Sequence, residues 1–381
     1  MKIGIVLYPT FGGSGVVATE LGKALAQKGH LVHFITYSQP VRLGSFRENI
    51  FYHEVQLSDY PLFEYQPYET ELASKVVDVV KYEGLDLLHV HYAIPHASAA
   101  FMAQQILKAQ GINIPFITTL HGTDITLVGK DPSFEPVISF CINASDAVTA
   151  VSESLMKDTY THFETKRKIH VIPNFIQPKD ELPVINMEKR RHYAKDNELI
   201  LCHISNFRPV KRISDVVRIF QKVQEKLPAK LLLAGDGPDR AIVERLARDL
   251  GICQNIIFIG KVRETGPILE LSDLFLLPSE TESFGLAALE AMAEGVPVVS
   301  SNTGGIPEVN IDAYSGFTSN VGDVDAMAID AIRILENKET HQIFRKNALA
   351  QAKKFDLSKV LPLYEDLYES VLKGQADTVK A

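Results

Sequence analysis

The chain has 381 residues, 46% of them hydrophobic and 23% charged, a globular balance that excludes disorder and collagen-like repeats. Its 39 Lys and Arg stand against 47 Asp and Glu, a net −8 without a long run of like charge, so neither nucleic acid nor an anionic membrane is expected as the main partner. Cys141, Cys202 and Cys253 are scattered and form no CxxC pair, which excludes a disulfide framework or zinc knuckle and fits a reducing cytoplasm.

At about 150 residues per domain this length suggests two domains. The apolar run Ile3 to Tyr8 predicts a first strand. It is too short for a signal-peptide core, and no stretch reaches the length of a membrane span, so a cytoplasmic protein without membrane insertion is expected. Gly12-Gly13-Ser14-Gly15 follows, then a helical pattern from Val16 to Lys28 stopped by Gly29. Strands are expected at Leu31 to Thr36, Leu87 to His91, Phe116 to Leu120 and Ala147 to Val151, with a helix from Leu72 to Glu83 stopped by Gly84. Three prolines between Ile172 and Pro183 mark a linker. A second series has strands at Leu199 to Ser205, Lys230 to Ala234, Ile256 to Ile259, Leu274 to Leu277 and Pro297 to Ser300. Alternation of this kind predicts the α/β class, with two doubly wound parallel sheets covered on both faces. The expected domains are 1–175 and 176–357. Ser358 is a candidate N-cap for a tail helix to Leu372, which the pattern assigns to neither domain.

Ligands of open α/β sheets bind at the carboxyl ends of the strands, and the polar residues gather there. Gly13-x-Gly15-x-x-Ala18 fits a dinucleotide fingerprint, but the second strand ends in Thr36-Tyr37-Ser38 without an acidic ribose ligand. The glycines then serve either an anion at a helix N-terminus or only a tight turn. After the strand ending at Leu277, a helix from near Ser283 to Gly295 would aim the amides of Ser283, Phe284, Gly285 and Leu286 at a diphosphate. Glu282 and Glu290 would lie about 12 Å apart at about 1.5 Å rise per residue, the span from hexose to ribose in a nucleotide-sugar. Two solvated helix glutamates are the plain alternative. Arg208 and Lys211, after the strand at 199–205, could neutralise a diphosphate leaving group or form an exposed basic turn. Gly235-Asp-Gly-Pro238 and Asn302-Thr-Gly-Gly-Ile-Pro-Glu308 bring glycines to the same edge. His89-Val-His91, His96, His121 and Asp124 fit a metal-hydrolase set, satisfied strand-end histidines, or substrate contacts centred on His121.

Together, Gly12-Gly13, Arg208 with Lys211, Gly235-Asp-Gly-Pro238 and Glu282-Ser-Phe-Gly-Leu-Ala-Ala-Leu-Glu290 resemble the retaining glycosyltransferases of family 4 over essentially the whole chain. The resemblance implies the GT-B fold, two Rossmann-like domains with a cleft between them and a tail helix, 358–381, returning to the first. Tyr8-Pro, His89-Val-His-Tyr-Ala-Ile-Pro-His96, Thr119-Leu-His-Gly-Thr-Asp-Ile125 and His203-Ile-Ser-Asn-Phe-Arg208 look like the malate-glycosylating branch of bacillithiol biosynthesis. This implies retaining transfer of N-acetylglucosamine from UDP-GlcNAc to the hydroxyl of L-malate, with no cofactor and no required metal.

On matched positions His121, Arg208, Lys211 and Glu282 would be catalytic. Gly13, Asn206, Gly235, Ser283, Phe284, Gly285, Leu286 and Glu290 would hold the donor, Glu290 at the ribose. Many family members carry an arginine where this chain has Asn206. The hydroxyls of Ser14, Tyr92, Thr119 and Thr123 are the expected acceptor pocket. Other readings stay open: a family 4 enzyme with an inositol phosphate or lipid acceptor, a metal-dependent hydrolase, or a non-catalytic sugar-nucleotide-binding protein. A homo-oligomer is compatible with all of them.

Overall fold

The structure, a computed structural model, describes residues 1–10, 12–45, 47–57, 66–127, 129 and 131–374. The chain forms two compact units, Met1–Asn174 joined by the stretch from Ser358, and Phe175–Leu357. Residues 375–381 of the expected tail lie outside the described residues.

In the first unit β1 (Lys2–Val6), β2 (Leu31–Thr36), β3 (Ile50–Glu54), β4 (Leu87–His91), β5 (Phe116–Leu120), β6 (Ala147–Ala150) and β7 (Ile169–Val171) form a sheet ordered β3-β2-β1-β4-β5-β6-β7. In the second, β8 (Leu199–Ile204), β9 (Ala229–Ala234), β10 (Ile256–Gly260), β11 (Leu274–Leu277), β12 (Val298–Ser301) and β13 (Gly316–Ser319) are ordered β10-β9-β8-β11-β12-β13. Every pairing in both sheets is parallel. Each sheet is therefore doubly wound, with one switch point where strand order reverses: β1/β4 in the first and β8/β11 in the second.

Burial explains both the strands and their polar content. β4 and β5 are buried at every residue, so His89, His91, Thr118 and Thr119 must find partners inside the protein. The helix Gly13–Gln27 closes on the sheet at Gly22, where a Cβ would lie 2.4 Å from the Phe34 ring. The second core runs from Phe207, Val216 and Phe220 to Met327 and Phe344. No helix among the described residues is long and apolar enough to cross a membrane.

Three strands were not anticipated: β3 is a half-exposed edge, β7 has three residues, and β13 opens on a glycine. Two helix starts also differ. The helix expected from Ser283 runs Leu286–Ala293, because Gly285, at φ 93°, turns the chain in the left-handed region just before it. Ser358 is no cap, since the tail helix already spans Leu357–Leu372. That helix buries Tyr364 and Tyr368 completely in the first unit, and Tyr368 Oη lies 2.7 Å from His89 Nδ1.

Candidate active site

In the first unit the β1/β4 switch point carries a hydroxyl pair. Gly13 is the first residue of a helix whose first turn holds no acidic side chain, leaving the positive helix end unopposed. Ser14 Oγ lies 2.6 Å from Tyr92 Oη, and Thr123 also hydrogen-bonds that phenol. Tyr92 follows β4 at φ 88°, a conformation that costs a non-glycine residue about 1–3 kcal/mol. Its amide is held by Thr119 O at 2.9 Å and its ring by Tyr8 at 5.6 Å. Burial pushes the Tyr92 phenol up to about 12, so it stays protonated and can donate.

His121 stands beside it at the end of β5, ring centroids 5.2 Å apart. Its Nε2 meets His91 Nδ1 at 2.8 Å, and burial drives its pKa down to about 3, which keeps the ring neutral. Asp124 fixes the loop: Oδ2 accepts the Ala93 amide at 2.9 Å, and Oδ1 accepts those of Gly122 at 3.0 Å and His121 at 3.3 Å. Burial raises its carboxyl to about 6 in spite of these bonds.

Ser14, Tyr92 and Thr123 come together, but Thr119 does not join them. Its side chain is fully buried, with Oγ1 2.7 Å from both His89 Nε2 and Thr149 Oγ1. The strand's alternation turns it into the layer beneath the tail helix, where its hydroxyl satisfies His89 instead of fronting a substrate. His89 thus has both ring nitrogens committed, to Tyr368 and to Thr119, and burial holds it neutral with a pKa of about 3. His96 is likewise held between His91 O and Tyr68 Oη. These bonds make His89 and His96 groups satisfied by protein partners.

In the second unit the β8/β11 switch point carries an ion pair. Lys211 Nζ lies 2.5 Å from Glu282 Oε1, which also accepts Ser279 Oγ at 3.0 Å. Three loops lock this pair in place by backbone contact. The Glu280 amide donates to Val210 O at 2.8 Å, and the Gly305 amide to Glu282 O at 2.9 Å. A Cβ on Gly304 would lie 2.0 Å from Glu282 O, and one on Gly235 1.8 Å from Ser205 O. Gly235 is therefore required by the loop carrying Asn206 and Arg208. Both of those side chains are exposed, and the Arg208 guanidinium has no partner among the described residues. His203 supports the same loop from beneath, with Nδ1 on Leu276 O at 2.8 Å and Nε2 on Ser205 Oγ at 2.7 Å; burial keeps it neutral at about 4.

The amides facing the strand end also shift from the expected set. Leu286 opens the helix, while Ser283, Phe284 and Gly285 form the turn before it, so a helical-rise spacing from Glu282 to Glu290 does not apply. The Phe284 ring is buried edge-on against Phe355 at 5.5 Å, leaving only its backbone for a ligand. Glu290 lies on the helix, its Oε2 accepting Thr265 Oγ1 at 3.1 Å from the loop after β10. Sequence reasoning missed Ser279 and Thr265 as partners of the two glutamates; Ser279 stands three residues before Glu282, whereas Thr265 had no local signal.

Comparison with known proteins gives this geometry a family. The sequence model "Glycosyltransferase Family 4" matches residues 11–180 and "Glycosyl transferases group 1" matches 185–351. N-acetyl-alpha-D-glucosaminyl L-malate synthase of Bacillus anthracis is 45% identical over 375 residues, covering 98% of each chain. Sucrose-phosphate synthase from Thermosynechococcus elongatus superposes with a TM-score of 0.80 at 21% identity, covering 98% of this chain and 100% of its own. Anabaena HepE in complex with UDP and glucose does so at 0.79 and 20% identity, covering 97% and 100%. With two doubly wound sheets, the Glu282–Glu290 block and a full-length relative at this identity, the chain belongs to glycosyltransferase family 4 and has the GT-B fold.

Proposed function

We propose that the protein transfers N-acetylglucosamine from UDP-GlcNAc to the hydroxyl of L-malate with retention, as a cytoplasmic enzyme that requires no metal. The 45% identity with the malate synthase over 98% of both chains carries this reading. In it Glu290 holds the ribose, Glu282 the hexose hydroxyls, and Arg208, Lys211 and the amides around Gly13 and Leu286 the diphosphate. His121, neutral and with Nε2 held by His91, offers Nδ1 to the donor sugar near the reacting carbon. Ser14, Tyr92 and Thr123 orient the acceptor, whose carboxylates are favoured by the unopposed helix end at Gly13.

The chemical step is a front-face substitution. The malate oxygen bonds to the anomeric carbon as the bond from that carbon to the β-phosphate oxygen breaks, and the hydroxyl proton passes to the departing phosphate. Arg208 and Lys211 stabilise the charge that develops there. Incubation with UDP-GlcNAc and L-malate should yield the glycoside by mass together with UDP, undiminished by chelator. Inositol phosphate and lipid acceptors run in parallel decide the acceptor. A product with either of them and none with malate would keep the family and overturn the acceptor.

A further inference from the structure

We propose that His33, His53 and Glu83 bind one divalent transition-metal ion of the zinc, cobalt or nickel kind, which fastens the edge strand of the first sheet and takes no part in sugar transfer. His33 lies on β2 and His53 on the edge strand β3, in a register that pairs His33 with Phe51 and Ile35 with His53. Residues 33 and 35 share one face of β2. Ile35 packs there with Val76, Val79 and Val80, and the π-turn Val80–Gly84 that ends the overlying helix brings Glu83 to the histidines. One ligand atom from each of the three residues lies within 4.8 Å of the other two.

His33 Nδ1 and His53 Nε2 are 2.9 Å apart, with rings stacked at 15°. Two imidazole nitrogens on a tetrahedral zinc ion stand about 3.3 Å apart, given Zn–N of about 2.0–2.1 Å. A small opening of the pair therefore admits the ion. Among the described residues the two facing nitrogens meet only each other, and the far side of the His33 ring is unmet. His33 is 2% exposed, yet its Nε2 has no partner. The carboxylate of Glu83 makes no hydrogen bond or ion pair among the described residues, because Lys2 Nζ bonds its backbone carbonyl instead, at 2.6 Å. His89, His96 and His203, by contrast, each have both ring nitrogens met. His91 Nε2 shares the lack, but no third ligand joins it among the described residues.

Two imidazoles and one carboxylate form the borderline donor set that zinc, cobalt and nickel favour, with remaining positions for water. Glu83 precedes β4 whereas Tyr92 follows it, and the two histidines lie on strands two and three places from β4 in the sheet, which separates this site from the chemistry.

Full-length protein stripped of metal and of any purification tag should bind one equivalent of Co2+ in the micromolar range, with a visible d–d band that Zn2+ abolishes. Its melting temperature should rise by several degrees. His53→Ala and Glu83→Gln should each weaken Co2+ binding by about 100-fold, while glycosyl transfer stays unchanged. Should His53→Ala lower the metal-free melting point, the isosteric Glu83→Gln decides the matter by itself. Absence of saturable Co2+ or Zn2+ binding, or binding that survives both substitutions, would overturn the proposal.

Discussion

Where strand order reverses, the first sheet sets two hydroxyls together, Ser14 and Tyr92 at 2.6 Å, and the second sets a lysine against a carboxylate, Lys211 and Glu282 at 2.5 Å. The surroundings follow suit. Near the first pair, His91 and His121 are kept neutral and Tyr92 protonated; the loop of the second carries Arg208, whose guanidinium has no partner among the described residues. One topology thus presents an edge of hydroxyls and neutral imidazoles suited to hydroxyl-bearing ligands and an edge of paired charges suited to a diphosphate. The winding positions both pairs, and the loop residues decide their chemistry.

Breaking the charged side should cost most. Glu282→Gln and Lys211→Met are each expected to lower kcat by about 10²–10³-fold with an unchanged melting curve. A variant that kept near-normal turnover would remove the ion pair from the chemistry. Gly304→Ala tests the backbone lock: its Cβ would sit 2.0 Å from Glu282 O at φ 56°. The expected outcome is about 10–100-fold lower kcat and a loss of about 1–3 kcal/mol in denaturant titration.

Acid should separate the two units. His33, His53, His89, His91, His96 and His121 in the first, and His203 and His341 in the second, all have pKa values lowered by burial. For each, the unfolded chain binds a proton that the folded one refuses, from about 6.5 downward, so stability falls as pH drops through that value. The slope approaches tenfold per pH unit per histidine. Asp124, raised to about 6, works the other way between about 4 and 6, one group against six. Hydrogen exchange at pH 5.5 should therefore show the first unit losing protection before the second; the reverse order would break the comparison.

Smaller effects sharpen the neutral side. Tyr92→Phe should raise the acceptor KM by about 3–10-fold, the value of one hydrogen bond of about 1 kcal/mol. Thr119→Val should leave that KM alone and lower only the melting temperature, because its hydroxyl serves His89 and Thr149.

A continuous apolar run such as Leu274–Leu277 was legible as a strand because burial on both faces leaves no room for polar alternation. β3 was not, since Ile-Phe-Tyr-His-Glu is half-exposed and mixed. The Glu282 motif could be read as chemistry, but its helix start could not, because the turn Glu282 to Gly285, left-handed at its end, packs against Gly304 and Gly305 from a loop distant in sequence. Thr119 was misread for a related reason. A strand-end threonine looks alike whether it faces solvent or a tail helix, and the partner that decides, His89 with Tyr368 behind it, is set by contacts far apart in sequence.

That last contact also orders the protein's birth. Tyr368 and His89 are separated by 279 residues, with all of the second unit encoded between the two parts of the first. On a ribosome adding about 5–20 residues per second, the first sheet is complete in sequence at Val171 but stays bare over His89 while roughly 200 further residues are made, an interval of about 10–40 s. The unit translated first is thus the last to be finished, and a nascent chain paused within the second unit carries an unsealed apolar face, the point at which chaperone demand should be highest.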